Sequence, residues 1–252
     1  MKSFIIIAIT ICCISCNKKK LFDGPSAYSD GFEGYDTSYQ MIEIANKYWS
    51  FFQLTKTLNT LSIDSTFSHS GKKAIKCYAE KSDDIVSKCS FSKQKMAFWE
   101  GEILSSEAWY YLDGNKPAEW LFLMDLEEQA VIGAGPGMRL ALVENKIRVE
   151  HKYFNKDIIQ PKSSEHTFVR NKWNKIRFET LLSKEKNGWV KVYQNDTLIL
   201  HQENWNTLPH DILYFQQGTK GMYSSIEYGI TANTHDSDVT LYVDDIQVSK
   251  VK

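Results

Sequence analysis

Two side chains in the middle of the sequence have the chemistry to act on a carboxylate-bearing substrate. Arg139, in Gly137-Met138-Arg139-Leu140, offers a guanidinium that can grip a carboxylate through two parallel hydrogen bonds. His151, within residues 147–153, is an imidazole able to accept a proton near neutral pH. Removing a proton α to a carboxylate needs both: a cation or amide to hold the developing charge and a base to take the proton. Each residue also has a plainer reading. Arg139 can pair with Glu127, Glu128 or Glu150 across a sheet. His151 lies two and four residues from Val149 and Ile147, so in a strand it shares their face and would point into a core.

Other polar groups suggest different chemistry. Asp125-Leu126-Glu127 places two acids on one strand face, as glycoside hydrolysis would need, although the pair can equally end a strand beside a loop. Asp236-Ser237-Asp238 with Asp244-Asp245 is the cluster best suited to a structural Ca²⁺, with an acidic turn as the alternative. No other cofactor is suggested, and no Cys/His pattern points to zinc. Gly133-Ala134-Gly135-Pro136-Gly137 lacks the Lys-Ser/Thr of a phosphate loop and reads as a flexible rim.

The first residues read as an address. Lys2 precedes an apolar run over residues 4–14, too short to span a bilayer and suited to a secretory signal. Ile14-Ser15-Cys16 resembles a bacterial lipobox, with Cys13 where leucine is usual. The expectation is a signal peptide over residues 1–15, lipid on Cys16, and a tether over residues 16–29. This places the protein in the cell envelope, membrane-anchored to the outer membrane. Lys18-Lys19-Lys20 leans towards a periplasm-facing anchor. Cys77 and Cys89 would then remain in an oxidising compartment, either bridged across a hairpin centred on Asp83 or free and buried.

Positioning such groups falls to strands. The chain has 252 residues, 42% hydrophobic and 24% charged, enough to bury a core. Thirty basic residues against 31 acidic ones leave no basic surface for nucleic acid. Seven Trp and 13 Tyr suit stacking on sugars, and also suit ordinary packing. Helical spacing is confined to residues 39–48 and a turn near 203–208. Strand patterns fill the rest: 72–79, 106–112, 120–126, 138–143, 147–153, 173–181, 189–194, 197–201, 213–217, 226–232 and 239–248. Asn195-Asp196 is a two-residue hairpin signal, and Glu144-Asn145-Lys146 a tight turn. The fold class expected is all-β, a sandwich of two antiparallel sheets over residues 30–252.

The order of segments carries a resemblance. Asp30-Gly31-Phe32-Glu33-Gly34-Tyr35 comes first, then Ser68-His69-Ser70-Gly71-Lys72-Lys73-Ala74, Gly101-Glu102 and Trp109-Tyr110-Tyr111. Tyr214-Phe215-Gln216, Gly221-Met222-Tyr223 and Leu241-Tyr242-Val243-Asp244-Asp245-Ile246 close the series. This order is similar to concanavalin A-like jelly rolls of the heparin lyase I, alginate lyase and glucuronan lyase kind. The resemblance implies a polysaccharide partner and places Tyr223 at the family's tyrosine position; on the chemistry given above, His151 would be its base and Arg139 its cation. It implies a substrate-binding strand at Tyr214, Gln216 and Lys220, joined by Arg139. The sequence departs from the family: Gln216 takes a lysine position, Thr219-Lys220 lie between Gly218 and Gly221, the early strand at Ser87–Phe91 has Lys88 and no arginine, and no Gln-x-His strand occurs. The expectation is therefore a glycan-binding lipoprotein without catalysis. A lyase cleaving an acidic glycan by β-elimination and a structural envelope protein are the alternatives.

Overall fold

The computed structural model describes residues 24–42, 49–116, 118–128, 135, 137–152, 162–209 and 220–251. In chain order the elements are β1 (Tyr28–Asp30), a 3-10 turn (Ser38–Met41), β2 (Phe51–Leu54), β3 (Thr60–Asp64), β4 (Ala74–Ala79) and β5 (Cys89–Trp99). Next come β6 (Ile103–Leu112), β7 (Trp120–Glu127), β8 (Gly137–Val143), β9 (Lys146–Lys152) and β10 (Lys162–Thr167). The last five are β11 (Trp173–Leu181), β12 (Gly188–Gln194), β13 (Thr197–Trp205), β14 (Met222–Ala232) and β15 (Val239–Val251). They form two antiparallel sheets, as expected of a jelly roll. Sheet I runs β13-β12-β11-β6-β15-β4-β3, with β1 added on β15; sheet II runs β10-β9-β8-β7-β14-β5-β2.

Period-two alternation explains the sandwich. Along β11 the side chains of Ile176, Phe178 and Thr180 are buried and those between them are half-exposed; β12 repeats this with Val190 and Val192. The two inner faces meet in one core, centred on Trp49, Phe91 and Tyr228, with the Trp49 and Phe91 rings 4.6 Å apart and edge-to-face. Tyr228 on β14 and Ser106 on β6 share a 2.6 Å hydroxyl hydrogen bond between the two sheets. Asp30 anchors the N-terminal segment: its carboxylate accepts from the Trp49 indole N–H at 2.8 Å, the Phe32 N–H at 2.8 Å and the Tyr35 hydroxyl at 3.0 Å.

Both hairpin signals form tight turns. Asn195-Asp196 (φ 49° and 66°) and Glu144-Asn145 (φ 51° and 59°) put two left-handed residues in succession, which matches the strand twist; Lys146 already belongs to β9. The helical expectations are corrected. The first shrinks to the 3-10 turn at Ser38–Met41, with residues 43–48 outside the described residues, and Glu203 and Trp205 belong to β13. The Asp83 hairpin is also corrected. Residues 80–88 cross from sheet I to sheet II, so Cys77 and Cys89 face each other between sheets rather than across a hairpin. Both thiols are buried and unbridged, and burial, with the neighbouring Cys89 thiol, pushes the Cys77 thiol well up. Cys16 and the strand at 213–217 lie outside the described residues.

Candidate functional site

Strand register sets the candidate site. Ser92 on β5 pairs with Glu227 on β14, Glu227 with Asp125 on β7, Asp125 with Arg139 on β8, and Arg139 with Glu150 on β9. Their chain neighbours Phe91, Tyr228, Leu126, Leu140 and Val149 fill the core. The five polar residues therefore form one row across the outer face of sheet II. Gly137 permits the close approach of β8 and β7 at the end of this row, because a Cβ there would collide with the Leu126 carbonyl oxygen.

Charges along the row are paired. Arg139 Nε lies 3.4 Å from Asp125 Oδ1, and its Nη1 lies 3.6 Å from Glu150 Oε1. Arg148 Nε approaches the other Glu150 oxygen at 3.3 Å. The guanidinium also sits 4.1 Å above the Phe122 ring. The acids are crowded: Asp125, Glu127 and Glu227 bring carboxylate oxygens within 4.8 Å of one another. Burial pushes the Glu227 carboxyl up to about 7; the Lys88 charge pulls it back, Asp125 and Glu127 push it further up, and a short hydrogen bond from the Ser90 hydroxyl lowers it. Such a group can exchange a proton near neutral pH. Three hard oxygen donors could also hold a divalent cation.

The expected calcium cluster is not gathered among the described residues. Asp238 accepts from the Lys81 N–H at 2.9 Å, and Asp236 from the Glu119 N–H at 3.1 Å. Asp244 accepts from the His69 and Ser70 N–H groups, and Asp245 bonds His69 Nδ1 at 2.7 Å and the Ser70 hydroxyl at 2.8 Å. These acids hold turns and a loop, while the acidic group of the described residues that could hold a metal lies on sheet II.

The structure separates Arg139 from its two expected partners. His151 pairs with Met138 and lies on the core face with Ile147 and Val149; its Nε2 is 2.7 Å from the Asn206 carbonyl oxygen. Tyr223 is fully buried and donates its hydroxyl to the Thr207 carbonyl at 2.6 Å. The register shift between Tyr223 and Ser225 takes Tyr223 off the outer face that Ser225 and Glu227 share. Burial drives its phenol well above the usual value, and the Glu128 charge adds to this. His151 and Tyr223 thus bond successive backbone carbonyls, those of Asn206 and Thr207, on the opposite side of sheet II from Arg139. Lys220 is half-buried just before β14, while Tyr214 and Gln216 lie outside the described residues.

Sequence reasoning missed Glu227 and took Glu128 only as an ion-pair partner for Arg139. An acid inside the otherwise apolar Ile226-Glu227-Tyr228 strand was the available signal for the first. Glu128, one residue past β7, is buried with neither carboxylate oxygen hydrogen-bonded; burial pushes it up to about 8, and the Lys184 charge acts against this. The aromatic excess goes largely into packing. Phe67, from the loop after β3, lies over Tyr111, Trp173 and Tyr242 on the outer face of sheet I, and His69 stacks on Trp109 at 3.6 Å.

The profile of a family described as polysaccharide lyase matches residues 43–247. The chain belongs to this polysaccharide lyase family. No curated protein matches the sequence. Among solved structures, it is similar to the endo-β-1,4-glucuronan lyase of the fungus Trichoderma reesei, with a TM-score of 0.66 and 13% identity over 81% of this chain and 92% of that one. An alginate lyase from a Chlorella virus gives a TM-score of 0.55 and 13% identity over 85% and 98%. One from Aplysia kurodai gives 0.54 and 14% over 76% and 87%. At such identities the likeness establishes the lyase-family fold, a jelly roll, while the profile match points to a polysaccharide-related role.

Proposed function

We propose that the outer face of sheet II binds a polysaccharide and that the protein is a non-catalytic glycan-binding member of its family. The observation that carries this reading is the row Ser92–Glu227–Asp125–Arg139–Glu150, in which the half-buried Arg139 and Glu150 and the half-buried rings of Phe122 and Phe51 flank the buried Ser92, Glu227 and Asp125. Tyr223 and His151, which would serve as acid and base beside Arg139, lie on the core face instead. One observation favours a second reading, lyase action: burial pushes the carboxyl of Glu227, on the outer-face side of sheet II, up to about 7, where its carboxylate could take the α proton as base. In that case the C5 proton moves to the Glu227 carboxylate, the C5–H electrons become the C4=C5 double bond, and the C4–O electron pair leaves on the departing sugar, which takes a proton from solvent.

The two readings separate directly. The protein is incubated with glucuronan, alginate and heparin-like polymers, and ultraviolet absorbance of an unsaturated product is followed beside affinity electrophoresis. Retardation without absorbance is expected. A steady absorbance rise lost in Glu227→Gln would establish the lyase instead, and neither retardation nor turnover would overturn both readings. We further propose that residues 1–15 are a signal peptide and that lipid on Cys16 anchors the protein in the cell envelope, facing the periplasm. A Ca²⁺ would belong with Asp125, Glu127 and Glu227, where it would offset the crowded acids.

A further inference from the structure

Two thiols cross the interior of the sandwich in opposite directions. Cys77 stands on β4 of sheet I and Cys89 opens β5 of sheet II, and Cα atoms of these two strands come within 8 Å of each other. Cys89 Sγ reaches sheet I: it donates to the Thr60 carbonyl oxygen on β3 at 3.1 Å, next to Leu61, which pairs with Cys77. Cys77 Sγ reaches sheet II: a Cβ placed on Gly229 of β14 would stand 3.1 Å from it and 2.8 Å from the Cys89 carbonyl oxygen. Gly229, at φ 107°, holds a backbone conformation that favours glycine, and its missing side chain leaves the space that the Cys77 sulfur fills.

The two sulfurs are near neighbours. The Cys89 thiol acts directly on the Cys77 thiol and adds to the rise that burial causes. Both side chains are completely buried. A thiol that keeps its proton exchanges slowly, because the thiolate is the nucleophile. Oxidation of this pair therefore belongs to folding, while the sulfurs are still accessible, and the same burial then shields the product from reductant. Cys89 also stands between Lys88, whose charge acts on Glu227, and Ser90, whose hydroxyl bonds Glu227. A covalent tie at Cys89 would fix the surroundings of Glu227 to the opposite sheet.

We propose that Cys77 and Cys89 form a modification site: folding in the presence of a disulfide oxidant closes them into a bridge that clamps sheet I to sheet II. One cysteine thiolate attacks a sulfur of the oxidant, forming a mixed disulfide and releasing the first oxidant thiolate. The second cysteine thiolate attacks the protein sulfur of that mixed disulfide. The Cys77–Cys89 bond forms, the bond to the oxidant breaks, and the second oxidant thiolate leaves. The two cysteine protons end on the released thiolates, so the cysteines lose two electrons and the oxidant's disulfide is reduced to two thiols.

The test refolds the reduced, unfolded full chain in mixed reduced and oxidised glutathione, caps free thiols with iodoacetamide and digests with trypsin. Cleavage after Lys76, Lys81, Lys88 and Lys93 frees Cys77–Lys81 and Cys89–Lys93 as separate peptides, which stay together only if their sulfurs are joined. The expected mass spectrum shows these two peptides linked, and separated by reductant. Capped, unlinked peptides as the main species overturn the proposal, as does either peptide joined to glutathione or to the peptide carrying Cys12, Cys13 and Cys16. A chain that does not refold is replaced by protein exported to a bacterial periplasm and judged by the same peptides. The clamp itself is read from thermal unfolding of the parent in its oxidised and reduced states. The bridge closes a loop of 13 residues, so the oxidised midpoint should lie roughly 6–12 °C above the reduced one. The double variant Cys77→Ala, Cys89→Ala should show no such difference. Equal midpoints in the two states of the parent overturn the clamp even where the peptides are linked.

Discussion

Replacing Glu128 by Gln should stabilise the protein above acid pH. The folded carboxyl keeps its proton until about pH 8, whereas in the unfolded chain it is lost near the ordinary value of 4.5. Between these limits the unfolded state binds fewer protons, so stability falls as pH rises, by about 1.4 kcal/mol per pH unit. Below 4.5 both states are protonated and the penalty vanishes. At pH 7, two and a half units above 4.5, the cost is about 3 kcal/mol. Gln has the shape of the protonated acid and cannot ionise, so Glu128→Gln should remove this cost. For a domain of this size, that is a rise of roughly 6–12 °C in the unfolding midpoint at pH 7. Thermal unfolding from pH 4 to 8.5 measures it, with Glu165→Gln, an exposed partner of Lys146, as control. The gap between Glu128→Gln and the parent should open with pH and be small at pH 4. A gap independent of pH, or a variant less stable at pH 8, would refute the assignment of a buried, unpaired carboxyl.

Further outcomes follow from the same geometry. Asp125→Asn removes one of the charges raising Glu227, so the Glu227 midpoint, followed by carboxyl NMR, should fall below about 7. Asp30→Ala strips three hydrogen bonds from Phe32, Tyr35 and Trp49 and should cost about 3 kcal/mol in denaturant unfolding; an unchanged midpoint would show that the N-terminal segment is held otherwise. Gly229→Ala, at φ 107° with a Cβ 2.8 Å from the Cys89 carbonyl oxygen, should destabilise by about 2–4 kcal/mol on the same assay. Cys16→Ala should move the protein from the membrane fraction to the soluble one, and continued fatty-acid labelling of the variant would dismiss the lipid anchor.

The fold was legible because its signals are local. Alternation marked β11 and β12, and Asn195-Asp196 marked their neighbour's hairpin, since period and turn chemistry act over a few residues. The site was legible only in pieces. Arg139 and its ion pair with Glu150 follow from strand facing, as does the core placement of His151 beside Ile147 and Val149. Tyr223 could not be read this way, because a register shift in β14 and β5 decides its face, and no residue type announces that shift. Glu227 becomes a candidate only once β14 lies between β5 and β7, which brings residue 227 beside residue 125. The cysteines show the same limit: their spacing suggested a hairpin, but the intervening residues change sheets.

The most direct measurement is a crystal structure of the protein with a uronate oligosaccharide. The account predicts sugar density along the outer face of sheet II, over Glu227 and Arg139. Density over the aromatic layer of sheet I at Phe67 and Trp173, or beside Tyr223 and His151, would contradict it.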